Sequence, residues 1–299
     1  MDREAQSRPV AVANPLQIDE AAEQFTRKLT TELSGDSLEL PGFPEIALRV
    51  RKALGNADIG VDDVVRMVGA EPSLAVRLLQ LANSVALNPS AQRVTSLRMA
   101  IARIGFNLAR SATIAFAMSQ MRRAEAWQGL EVRFRELWED SAQLAATSHA
   151  LGKRVRGVNA DLAMFAGMLH AVGKLFVLTR LNRFPILLSE PAVYADIERL
   201  WHAPVARAIL TRWELGADVI SAAADYESAA LRGAGAPDLR DVLFAARHIG
   251  NLPPDAPEPD AGIFATPPFQ RLGLDPVLCA EVSGASASEI ASLRAALLD

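Results

Sequence analysis

The chain reads as an all-α protein, and three observations lead there. Apolar residues recur at spacings of three and four along most of its 299 residues, which is the period of one helix face. Strict apolar–polar alternation, the mark of a half-buried strand, is missing from both halves. Residues that start or stop helices punctuate the chain at helix-length intervals: Asp, Ser or Asn before an apolar run, Pro in a first turn, Gly behind a last one. With 50% of residues hydrophobic, the chain can bury one large core or two modest ones.

Residues 1–17 are polar and expected to be disordered. Ile18, Ala21, Ala22, Phe25, Leu29 and Leu33 then mark an N-terminal helix within 18–37, which Gly35 can end. Pro41, Pro44 and Glu45 open a second helix through Leu48 to Leu54. Asp62 or Asp63 can cap a third, with Val64, Val65 and Val68 on its inner face. Glu71-Pro72-Ser73 starts a fourth, running through Leu74, Leu78, Leu79 and Leu81 to Asn83-Ser84. Ser96 can cap the next, whose stripe is Met99, Ala100, Ile101 and Ile104 and whose stop is Gly105; a further helix reaches from Asn107 to about Met121.

The second half continues in the same way. A long amphipathic helix spans about Leu130 to Val155, and Asp161 can cap the apolar helix that carries His170. Helices follow near Ile197–Trp213, Asp218–Glu227 and Asp238–Ile249. Prolines and acidic residues dominate 253–268, which reads as an extended surface loop. Two helices, Pro276–Val282 and Ser288–Leu298, account for 269–299.

Acidic residues (35) slightly outnumber basic ones (31), and a net charge of −4 gives no electrostatic case for nucleic acid as the main partner. The basic clusters at Arg122-Arg123 and Lys153-Arg154-Val155-Arg156 read as solvated helix ends. A single cysteine, Cys279, excludes an intramolecular disulfide and a cysteine-rich metal site; its apolar surroundings fit a packed thiol. Met1 to Pro15 lacks the charged start and apolar run of a signal peptide. The most apolar segment, Leu162–Leu178, carries His170 and Lys174 and fits a buried helix better than a membrane span. The chain is therefore expected to be cytoplasmic, with no membrane partner. No glycine cradle for phosphates, no Gly-x-Ser-x-Gly elbow and no Gly-Gly-Asp-Glu-Phe run occurs.

Within the apolar segment, Phe165-Ala-Gly-Met-Leu-His170-Ala171-Val-Gly173-Lys174 has the shape of a His-Asp metal motif with alanine where the carboxylate belongs. A methyl group has no lone pair to offer a cation. Other stretches carry a resemblance. Leu40-Pro41-x-x-Pro44-Glu45-x-Ala47 and Glu71-Pro72-Ser73-Leu74-Ala75-x-Arg77-Leu78-Leu79-x-Leu81-Ala82-Asn83-Ser84 resemble the opening of an HDOD domain. Val94-x-Ser96-Leu97-x-x-Ala100-Ile101-x-x-Ile104-Gly105 is similar to the same family. HDOD domains are degenerate relatives of the HD and HD-GYP metal-dependent phosphohydrolases and recur in bacterial signalling proteins.

The resemblance covers about Leu38 to Asn251. It implies an HD-like multi-helix bundle over 38–252, in an N-terminal half (38–122) and an HD-like half (123–252), with added N- and C-terminal helices. It also implies where metal ligands would have stood. Asp140, in Leu137-Trp138-Glu139-Asp140-Ser141, takes the place of a ligating histidine; His170-Ala171 replaces the His-Asp doublet. His202 matches a later histidine, and Asp225-Tyr226 replaces a histidine pair.

Two imidazoles and two carboxylates can hold one divalent ion, but phosphodiester hydrolysis by this class usually needs two, and the doublet aspartate is their natural bridge. The resemblance therefore implies no catalytic residue, no cofactor and no working metal centre, with Asp140, His170, Ala171, His202, Asp225 and Tyr226 as remnant positions. His170 is expected to be buried and hydrogen-bonded to a backbone carbonyl or a carboxylate, either Asp140 or Asp225. Lys174, one turn on, can reach such a carboxylate or extend to solvent. Trp138, Trp201 and Trp213 read as core. The expected function is a non-catalytic signalling module that binds other signalling proteins, with a homo-oligomer left open. The competing expectation is a residual phosphohydrolase or nucleotide-binding protein using the old pocket, with Arg103, Arg110 or Arg154 as phosphate contacts.

Overall fold

The structure is a computed structural model and describes residues 14–35, 38, 40, 59–84, 87–88, 92–121, 124–233, 235–250, 261–284 and 287–298. Every regular element among them is a helix. Residues 1–13, the helix expected between Pro44 and Leu54, and the Arg122-Arg123 cluster lie outside the described residues. Helix α1 (Pro15–Ser34) starts at Pro15 rather than Ile18, so residues 15–17, expected to be disordered, form its first turn. Asn14 accepts a hydrogen bond from the Leu16 N–H at 3.2 Å, and Pro15 suits a position that needs no donor.

In α2 (Val61–Gly69) the cap position belongs to Gly60, not to Asp62 or Asp63. Asp63 instead reaches back and accepts from the Gly60 N–H at 3.3 Å. α3 (Pro72–Ala82) begins behind Glu71, with proline in its first turn. Ser96 Oγ accepts from the Met99 N–H at 3.2 Å and caps α4 (Leu97–Met121). At Gly105 (φ 74°, ψ 171°) that helix breaks and restarts, as the expected stop requires; glycine takes this conformation without the penalty a Cβ would bring.

The second half holds α5 (Glu131–Gly152), α6 (Ala160–Leu169), α7 (Val172–Leu181), α8 (Pro185–Ser189), α9 (Pro191–Arg212), α10 (Ala217–Asp225) and α11 (Leu239–Gly250). Asn159, not Asp161, caps α6, accepting from the Leu162 N–H at 3.0 Å. Asp161 then lies in the first turn, where a carboxylate suits the positive helix end. α9 begins at Pro191 rather than Ile197: Pro191 stands in its first turn, and Val193 and Tyr194, a turn ahead of Ile197, already pack against the core. The described part of the expected 253–268 loop is helical: a 3₁₀ turn spans Ala261–Ala265, and Pro267 opens α12 (Pro267–Leu272). α13 (Pro276–Gly284) and α14 (Ala287–Leu298) follow.

The core is continuous through both halves. α6 lies along α5, α7 along α9, α3 along α4, and α14 returns to cover α5. Ala160–Leu181 is long and apolar enough to cross a membrane by length and composition, but 89% of its most apolar window is buried inside the fold. The turn at His170-Ala171 divides it into α6 and α7. Where α7 crosses α9, a Cβ on Gly173 would stand 2.0 Å from the His202 carbonyl oxygen and 3.0 Å from the Ala206 nitrogen. The two backbones touch there, which fixes His202 against the start of α7. Trp138 and Trp213 are buried, and Trp201 packs partly buried against the core. The Cys279 thiol is buried and pushed up to about 11, by burial and then by Asp275, as a packed thiol should be.

Candidate functional site

Four parts of the fold converge on the remnant positions: the middle of α5, the α6–α7 turn, the end of α10 with the 3₁₀ turn Tyr226–Leu231, and α11. His170 lies at the turn, fully buried. Its Nδ1 donates to the Gly167 carbonyl at 2.8 Å, and its Nε2 faces Asp140 Oδ2 at 3.2 Å. A carbonyl can only accept, so Nδ1 carries a proton and is lost as a metal donor, while Nε2 is turned to a carboxylate. The other Asp140 oxygen, Oδ1, accepts from Arg247 of α11.

Burial alone would raise the Asp140 carboxyl, but the His170 hydrogen bond and charge, followed by those of Arg247, outweigh it and hold the group down at about 2. Tyr226 presents its ring edge-on to His170, with centroids 5.8 Å apart and planes at 86°. Its buried hydroxyl donates to Glu227 Oε1 at 3.1 Å, and burial followed by the Glu227 charge raises its pKa. Ala171 is fully buried and presents a methyl group.

His202 belongs to a separate cluster. Its Nε2 lies 3.3 Å from Glu227 Oε2, and its Nδ1 is buried without a hydrogen-bond partner. Lys174 is mostly buried and reaches Glu227 Oε1 and Glu198 Oε1, each at 3.5 Å. Glu198 in turn accepts from the Tyr194 hydroxyl at 2.6 Å. The His202 hydrogen bond, opposed by burial and reinforced by Lys174, holds Glu227 at about 2. Asp225 turns away from His170 and pairs with Arg207 of α9.

The sequence-derived set is thus brought into one region but not onto one point. Of the two carboxylates expected to clamp His170, Asp140 does so and Asp225 does not, because Arg207 engages it. Lys174 reaches a carboxylate, though neither of those two. Among the arginines considered for phosphate, Arg103 donates to the Gln92 carbonyl at 3.1 Å and Arg154 to that of Ala150 at 2.9 Å. The Arg110 guanidinium lies over the Phe165 ring, 5.6 Å from its centroid. Sequence reasoning missed Glu227, Arg207 and Arg247. Glu227 directly follows the Asp225-Tyr226 pair and was open to notice; no spacing rule ties Arg247 to a residue 107 positions away.

An HD-type centre would hold divalent cations, and the side chains present do not fit one. Among the described residues no three His, Cys, Asp or Glu side chains gather as metal donors. Both His170 nitrogens and both Asp140 oxygens are committed to protein groups, and Ala171 offers nothing. His202 Nδ1, the remnant nitrogen without a partner, is a single donor.

An all-helical bundle defines the fold class, and comparison with known proteins gives the family. The HDOD domain family profile matches residues 40–229, so the chain belongs to the HDOD domain family. An HDOD domain protein of unknown function from Geobacter sulfurreducens superposes with a TM-score of 0.63 at 21% identity, covering 93% of this chain and 98% of its own. A protein of Shewanella amazonensis SB2B, provisionally assigned as a metal-dependent phosphohydrolase, gives a TM-score of 0.70 at 22% identity over 93% of this chain and 99% of its own. A provisionally assigned signal transduction protein from Marinobacter aquaeolei VT8 gives 0.60 at 20% identity, over 97% of this chain and 68% of its own. At such identities the likeness establishes the fold. An uncharacterized protein of Treponema pallidum (strain Nichols) is 22% identical over 210 residues; this chain spans 39% of that relative's length.

Proposed function

We propose that this HDOD protein is a non-catalytic module that works by binding other signalling proteins in a bacterial, cytoplasmic response pathway. One observation carries the reading: Asp140 and His170, the positions nearest Ala171, are hydrogen-bonded to Gly167, Arg247 and each other. A metal-activated hydroxide needs an open coordination position on a held ion, and among the described residues no three His, Cys, Asp or Glu side chains gather as donors. What remains useful is the surface of a well-packed bundle, and the assignment of the Marinobacter relative to signal transduction is in keeping with that use.

The test pairs two measurements on the purified full chain. Metal analysis with turnover assays on cyclic dinucleotides and on bis(p-nitrophenyl) phosphate should give sub-stoichiometric metal and no turnover. Cross-linking and pull-down from the native cell should recover a defined signalling protein, with capture unaffected by His170→Ala. Stoichiometric metal with turnover abolished by His170→Ala would overturn the proposal in favour of a residual phosphohydrolase.

A further inference from the structure

We propose that the Arg247 guanidinium is a tethered stand-in for the cation that an HD centre would hold. This inference rests on the non-catalytic reading and adds a reason for the pocket's persistence without metal. Removing a metal from among carboxylates leaves negative charge in a partly buried site, where an unpaired carboxylate is costly. Here Asp140, Asp225 and Glu227 each face an organic cation from a different helix, Lys174 being shared with Glu198. Arg247 of α11 takes Asp140, Arg207 of α9 takes Asp225, and Lys174 of α7 takes Glu227.

Arg247 differs from the other two in its placement. It holds the one oxygen of Asp140 that His170 does not, and both members of the pair are only 28% exposed. Its charge also interacts with Tyr226 and Glu227, so it sits electrostatically among several remnant positions. Those partners raise its pKa against the lowering effect of burial. A guanidinium stays protonated at any physiological pH, needs no loading from the cell and cannot dissociate from the chain. A divalent ion approaching Asp140 would have to displace it and face its repulsion.

Stand-in and metal should therefore exclude one another, which a plain ion pair placed outside the metal position would not require. Ala171→Asp restores the doublet carboxylate; Arg247→Met removes the charge while keeping much of the side-chain bulk. Titrated with Mn²⁺ by calorimetry, the A171D R247M double variant should bind at least about tenfold more tightly than A171D alone, since a neighbouring positive charge a few ångströms away is removed. Equal affinities without phosphodiester turnover would overturn the stand-in and leave the non-catalytic reading intact. Mn²⁺ binding with bis(p-nitrophenyl) phosphate turnover by the wild-type protein would overturn both.

Should a buried aspartate at 171 prevent folding, the unaltered doublet still decides. Arg247→Lys, which keeps the charge, should melt nearer the wild type than Arg247→Met. Equal melting of R247K and R247M would overturn the proposal.

Discussion

His170 is held at both ring nitrogens by groups of the chain itself, and the energetics of the pocket turn on its partner Asp140. Asp140→Ala leaves His170 and Arg247 without their shared carboxylate and should cost on the order of 1–3 kcal/mol of unfolding free energy in urea denaturation. Asp225→Ala breaks a pair whose arginine is 48% exposed and should cost under about 1 kcal/mol. Equal losses would show that the clamp is misassigned. The Asp140 carboxyl, held at about 2, also gives a pH dependence. A depressed carboxyl adds stability above its unfolded pKa and loses it as the pH falls through its folded one. The stability gap between wild type and Asp140→Asn should be about 2 kcal/mol near neutrality. It should close as the pH falls from about 5 to 2, and a gap that stays constant across that range would exclude the linkage. At this scale the sequence was half legible. Histidine on an apolar helix and a carboxylate partner were both readable, but the choice between Asp140 and Asp225 was set by Arg207 and Arg247, which reach them from other helices.

Helices and their order were legible because apolar period and cap chemistry are local. The described departures fall at element ends, where neighbouring side chains compete for the same backbone donors. Asn159 rather than Asp161 took the α6 cap, and Gly60 rather than an aspartate began α2. The proline-led α12 was hidden for another reason: its six residues are too few to show a period. The crossing of α7 on α9 was not legible, since glycine in an apolar run does not say which backbone approaches it. Gly173→Ala would place a methyl group 2.0 Å from a carbonyl oxygen of α9. Backbone cannot yield as a side-chain tip can, so the helices must part. We expect a loss of roughly 1–3 kcal/mol or more, with the melting point falling accordingly. Melting within a degree of wild type would mean that the two helices are not locked together at this point.

Across the whole molecule, α12 is fastened to the bundle by a buried ion cluster. Asp241 of α11, fully buried, accepts from Arg271 of α12 at 2.5 Å and 3.0 Å and from Arg232 at 2.5 Å. Arg271 also donates to the carbonyls of Ala229, Arg232 and Gly233, each at 2.9 Å. Asp241→Ala strands two arginines, one of them 6% exposed, and should cost roughly 3–5 kcal/mol. Hydrogen exchange should show amides of α12 losing protection first; uniform loss across the chain would count against a local fastening. Binding partners, if they use the added helices, should be released by the same change.

A second tie runs further still. The buried Arg77 of α3 donates to the carbonyl of Leu297 at 3.0 Å, across 220 residues of sequence. Because the ribosome delivers the chain from its N-terminus, this bond cannot form until nearly all of these residues have been made. Until α14 is made, the faces of α3 and α5 that it covers stay open to water and to chaperones. The nascent chain can build its helices early, but it closes this core only after α14 has emerged.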